Sequence, residues 1–139
     1  MTIKLASLKA DLTAEEKGEW IEYPDWPGVA FNVSSLHLPA YVTARDLMLQ
    51  RQSRKSKGKP IPADVLAHEG GTIYAKHILH GWRGLDVEYS PEVAVQTLTD
   101  PAYRAVRIAV EWCAGQVAQV EAEFIEEAEK NSAAPSATR

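Results

Sequence analysis

Four titratable side chains, His68, Glu69, His77 and His80, fall within thirteen residues. His77 and His80 are three apart and would share one face of a helix. Two such imidazoles and a carboxylate are donors that zinc or iron accepts, so one reading is a small metal-binding protein or enzyme. The spacing weakens it. An H-E-x-x-H motif needs a histidine at position 72, where Thr72 stands, and Gly70-Gly71 interrupts the helix that would hold the donors. Histidines at or near the surface are the plainer reading, and no metal or other cofactor is expected. Cys113 is the single cysteine, which excludes an intrachain disulfide framework and a thiolate zinc cage. It falls on an apolar helical seam, where burial raises a thiol pKa and removes the nucleophile. No phosphate-binding glycine loop, dinucleotide fingerprint or Ser-His-Asp set occurs. No residue is assigned a catalytic role, and the chain is not expected to be an enzyme.

Other residues point to binding. Arg51, Arg54, Lys55, Lys57 and Lys59 form a basic run. A nucleic-acid-binding regulator would use such a run on phosphates. Interleaved aromatics and a recognition-helix pattern are missing, however, so nucleic acid is not the expected partner. A solvated loop, or a patch that steers an acidic protein, fits better. Trp20, Trp26, Trp82 and Trp112 are many tryptophans for 139 residues. Tryptophan buries a large area with little entropy to lose, and so serves cores and interfaces alike. Trp26, set in the proline-rich turn PDWPG, is the least suited to complete burial, and Trp26 and Trp82 join the basic run as partner-binding candidates.

The elements that position these residues follow from pattern. Residues 1–12 read as a loose lead-in. EWIEY (19–23) and VAFNV (29–33) alternate around PDWPG (24–28), which predicts a β-hairpin that must pack on helices or extend a sheet. Leu38-Pro39 opens a helix that fades into the basic RQSRKSKGKP. Pro62 opens a second, to about residue 80, in which Gly70-Gly71 marks a kink or a close helix crossing. A turn follows around Gly81 and Gly84. Ser90-Pro91-Glu92 starts a short helix over 91–98, and Thr99-Asp100-Pro101 starts the last one. Tyr103, Val106, Val110, Cys113, Val117, Val120 and Phe124 recur at alternating spacings of three and four. That seam predicts a helix over 101–130, about 45 Å long at 1.5 Å per residue. Packing within the domain is the default; the alternative is a homo-oligomer through this C-terminal helix. Residues 131–139 are small and polar, as in a disordered tail.

The expected fold is therefore α+β, mainly α: an N-terminal β-hairpin on about four helices, the last of them long. A single domain spans 1–131, with its core over about 18–130 and a tail at 132–139. No apolar run approaches the roughly 18 residues of a membrane span, and MTIKLASLKADL lacks a leader's apolar stretch. The net charge of −4 excludes a generally basic, nucleic-acid-coating protein. It hides blocks of −3 (1–50), +5 (51–84) and −6 (85–139), a polarity that suits partner binding.

The phrase HILHGWRGLDVEYSPEVAVQTLTDPAYRAV resembles the tail assembly chaperones of long-tailed phages and prophages. Gly18–Tyr23 stands where that family has an aromatic strand, Ala75–Leu85 where it has an L-x-G-W-x-G-L segment, and Tyr89–Ala94 where it has a Y-T/S-P-E-x-A turn. Thr97–Val106 stands at its L-x-D-P-x-Y/F segment, and the likeness runs from 18 to 131. The linker LDVEYS departs from it, being shorter and lacking an Asp-Gly turn. The resemblance implies a non-enzymatic assembly factor of the host cytoplasm, absent from the mature virion. Its implied partners are the tape measure protein, whose apolar helices need cover, and the tail tube protein it helps to recruit.

Overall fold

A computed structural model describes residues 1–126; the expected tail at 132–139 and the end of the predicted last helix lie outside them. The chain separates into two units, Leu12–Ala118 and a smaller one of Met1–Asp11 with the stretch from Gln119 onward. In the smaller unit β1 (Thr2–Ile3) pairs antiparallel with β5 (Phe124–Ile125). Lys4 N–H donates to the Glu123 carbonyl at 2.8 Å.

The larger unit is mixed α and β, with its strands packed on helices. α1 (Leu12–Lys17) leads into β2 (Glu19–Glu22), which pairs antiparallel with β3 (Ala30–Val33). Trp20 faces Asn32 and Ile21 faces Phe31, which keeps the alternating faces of the predicted hairpin together. The PDWPG turn closes through Trp26 N–H to the Tyr23 carbonyl (3.2 Å) and Val29 N–H to the Trp26 carbonyl (3.0 Å). α2 (Pro39–Lys55) starts on its proline, as predicted.

The second predicted helix is shorter than expected. α3 (Ala63–Ile73) runs through Gly70-Gly71 without interruption; a π-type turn (Tyr74–Ile78) follows, and the chain then straightens into β4 (Leu79–Arg83). β4 pairs with the free side of β3, giving the order β2-β3-β4. The reason is burial: Ala30, Phe31 and Val33 are all closed from solvent, so β3 is a central strand that needs a neighbour on each side. Gly71 marks a close crossing. A Cβ there would run into the Leu98 carbonyl oxygen and lie 2.7 Å from the carbonyl carbon, so only glycine lets the two helices touch. Gly84, at φ +91°, likewise lets the turn after β4 lie against the Gly28 backbone.

α4 (Pro91–Leu98) carries the predicted cap: Ser90 Oγ accepts from Val93 N–H at 3.1 Å. Asp100 Oδ1 accepts from Ala102 N–H at 2.9 Å, and one 3-10 turn (Pro101–Tyr103) leads into α5 (Arg104–Gln116). The predicted helix to residue 130 is thus cut to thirteen residues. Val117 is extended, Ala118 takes φ +54°, and Ala118 N–H donates to the Glu19 carboxylate at 3.0 Å. Val120 and Phe124 are therefore not part of a helical seam. Val110, Cys113 and Val117 enter the chain's own core with Phe31, Val33, Ile78, Leu79 and Leu98, and Val106 packs against it. The heptad spacing from Val106 to Val117 thus marks a core-facing stripe, while Tyr103 is 51% exposed. Each large side chain so buried contributes about 1.5–3 kcal/mol. Among the described residues no helix is long and apolar enough to cross a membrane.

Candidate functional site

The four titratable residues of the 68–80 stretch do not converge. His68 and Glu69 lie on α3, where the Glu69 carboxylate accepts from Gln52 Nε2 at 3.2 Å and meets Arg51 at 3.9 Å. His77, in the π turn, and His80, on β4, border a different cleft with Leu12, Glu15, Glu16 and Ser34. Among the described residues no three His, Cys, Asp or Glu side chains are grouped to hold a metal ion. His80 Nε2 sits 2.7 Å from Ser34 Oγ, which reaches the Glu16 carbonyl at 3.1 Å. The hydroxyl has one proton, given to the carbonyl, so it accepts from the imidazole Nε2–H. Ser34 is fully buried, and this pair fastens β3, β4 and the end of α1 rather than exposing a nucleophile. Lost hydration lowers the pKa of both His77 and His80, and the neighbouring Lys76 charge adds to the effect at His77. Burial pushes the Cys113 thiol up to about 11, with Sγ 3.7 Å from the Ile21 carbonyl.

The basic run is exposed. Arg51, Arg54 and Lys55 occupy the last turns of α2, and Lys57 and Lys59 the turn beyond. Cations there complement the negative end of the helix dipole, a local role that accounts for part of the run. Trp26 is half-buried, edge-on to Tyr23 at 4.9 Å, and Tyr23 is edge-on to Trp112 at 5.8 Å. Trp82 is 8% exposed and packs in the core cluster, with part of its ring on a surface groove. Its indole N–H donates to the Val87 carbonyl at 2.8 Å and its ring stands edge-on to Tyr89 at 5.3 Å.

That pinned indole borders the most suggestive surface of the unit, a groove of about 460 Å³ between the turn after β4, α4 and the start of α5. Trp82, Leu85, Val93 and Val106 supply apolar walls. Val87 and Tyr103, each 51% exposed, stand at the rim. Gln96 and Thr97 add neutral polar groups, and among the described residues the charged side chains lining it are Asp86 and Asp100. The geometry follows from the sequence. Gly84 turns the chain, the Ser90 cap starts α4, and the Asp100 cap redirects the chain into α5. Leu85, Asp86, Val87, Val93 and Tyr103 were not singled out as binding residues, Tyr103 having been placed on the seam. The two caps, ten residues apart in sequence, were the available sign that 84–103 folds back on itself.

Comparison with protein-family models matches residues 36–131 to a family described as YdaY prophage protein, and the chain belongs to that family. No curated protein and no solved structure matches the chain.

Proposed function

We propose that this prophage-family protein is a non-enzymatic tail assembly chaperone. It holds the tape measure protein in the host cytoplasm, recruits tail tube subunits, and leaves before the virion is complete. The observation that carries the reading is the groove. The segment 79–106, which bears the likeness to tail assembly chaperones, folds into an apolar depression with two half-exposed side chains at its rim. Such a surface on a small domain is a site for another chain's apolar side chains. Membership of a prophage protein family supports the setting. The test is co-expression of the tagged chain with the tape measure and tail tube proteins of a prophage that encodes it. Retention and solubilisation of the tape measure protein are expected; a tape measure protein that stays insoluble and unretained overturns the reading.

A further inference from the structure

We infer that the groove binds an amphipathic α-helix that carries lysine or arginine beside its apolar stripe. This deepens the chaperone reading, on which it rests for the identity of the helix.

Three observations carry it. The apolar walls include an indole whose N–H is already bonded to Val87, so apolar side chains enter without stranding a donor. The helical backbone of the groove is also occupied. α4 bonds internally, Ser90 and Asp100 cap the orphan amides, and the Val87 carbonyl is taken by Trp82. An occupant that satisfies its own backbone, as a helix does, needs none of these groups. The charge at the groove has one sign. Asp86 and Asp100 line it, and among the described residues no lysine or arginine does; Arg83 and Arg104, adjacent in sequence to lining residues, lie over Trp20 and along a neighbouring pocket. Cations flanking the stripe of an incoming helix gain from that field; carboxylates are repelled.

The probes are two labelled helical peptides, one of leucine and lysine and one of leucine and glutamate in the same amphipathic pattern, titrated by fluorescence anisotropy. The lysine peptide is expected to bind at least about tenfold more tightly than the glutamate peptide. Asp86→Lys should narrow that ratio severalfold, while Glu22→Lys, the same charge change on β2, leaves it alone. Val87→Ser and Tyr103→Ser, both at exposed positions, should weaken both peptides about tenfold without changing their ratio, with unchanged circular dichroism showing that each variant folds. Equal binding of both peptides, or equal effects of Asp86→Lys and Glu22→Lys, overturns the inference. The tape measure protein separates this from the wider reading. If wild type and the groove variants retain it equally, the groove assignment fails and the chaperone reading stands. If the peptides behave as expected but the tape measure protein is not retained, the chaperone reading fails and the groove assignment stands.

Discussion

Replacing Gly71 by alanine tests the helix crossing behind the groove. In a free helix the change is favourable by about 1 kcal/mol, because glycine loses more backbone entropy. In this fold the added methyl would meet the Leu98 carbonyl oxygen at less than contact distance, its carbon at 2.7 Å and Thr99 Cα at 3.2 Å. All three obstacles are backbone, at the C-terminal end of α4, so no rotamer change relieves them. Relief requires α3 and α4 to part, which loosens Leu98 in the core. Overpacking of this kind costs about 1–3 kcal/mol, and more against rigid backbone. The net expectation is a loss of about 1–2 kcal/mol, the helix gain offsetting part of the clash. Gly115→Ala is the internal control. It lies within α5 with nothing within 4 Å of the new Cβ, so it should stabilise by about 0.5–1 kcal/mol. Urea denaturation of the three proteins reads both signs. A Gly71→Ala protein as stable as the parent would refute the close crossing.

Val110→Asp places an unpaired charge at a fully buried position and should cost about 3–5 kcal/mol; circular dichroism should show an unfolded chain, and a folded monomer would mean that the seam faces outward. Ser90→Ala removes the acceptor for Val93 N–H and should lower stability by about 1 kcal/mol, with Ser90→Asp restoring most of it in a thermal melt. His77 and His80 have pKa values held below the ordinary 6.5, so the unfolded chain binds their protons more readily. Their contribution is complete above about pH 6.5 and declines as pH falls below it, despite Glu15 and Glu16 beside the same cleft. The urea midpoint should therefore drop between pH 7.5 and 5.5, and drop less in the His77→Gln/His80→Gln protein; equal drops in both would remove the histidines from the account.

The elements legible in the sequence are those fixed by local chemistry. The hairpin follows from alternation around PDWPG, the start of α2 from Pro39, and the starts of α4 and α5 from Ser90-Pro91 and Asp100-Pro101. Two features depend on distant groups instead. LHGWR neither alternates cleanly nor resists a helical reading; it becomes a strand because β3 presents an unpaired edge and Leu79 and Trp82 find cover there. α5 has no glycine or proline stop after Gln116. It ends where Glu19 captures the Ala118 amide across 99 residues of sequence. The seam shows why periodicity leaves the packing partner open. It identifies an apolar face, and Val106, Val110, Cys113 and Val117 do share one, but spacing cannot say whether the cover is the chain's own sheet or another subunit. The groove was hidden for the same reason: its walls come from one strand end, one loop and two helices, brought together by packing.

How the groove is held bears on what it does. Each wall is fixed by an interaction inside the unit. The Trp82 indole N–H is tied to Val87, the Tyr89 hydroxyl to the Leu79 carbonyl at 3.3 Å, the first turn of α4 to Ser90, and its last turn to α3 at Gly71. The ordering entropy of these walls is therefore met during folding, and an occupant loses little by their immobilisation. Rigid walls favour fast and specific contact, and the small size of the groove, about 460 Å³, limits how tightly an occupant is held. The proposed role, cover for apolar helices during assembly followed by departure, calls for that behaviour, whereas a permanent subunit would need a larger and more continuous apolar face.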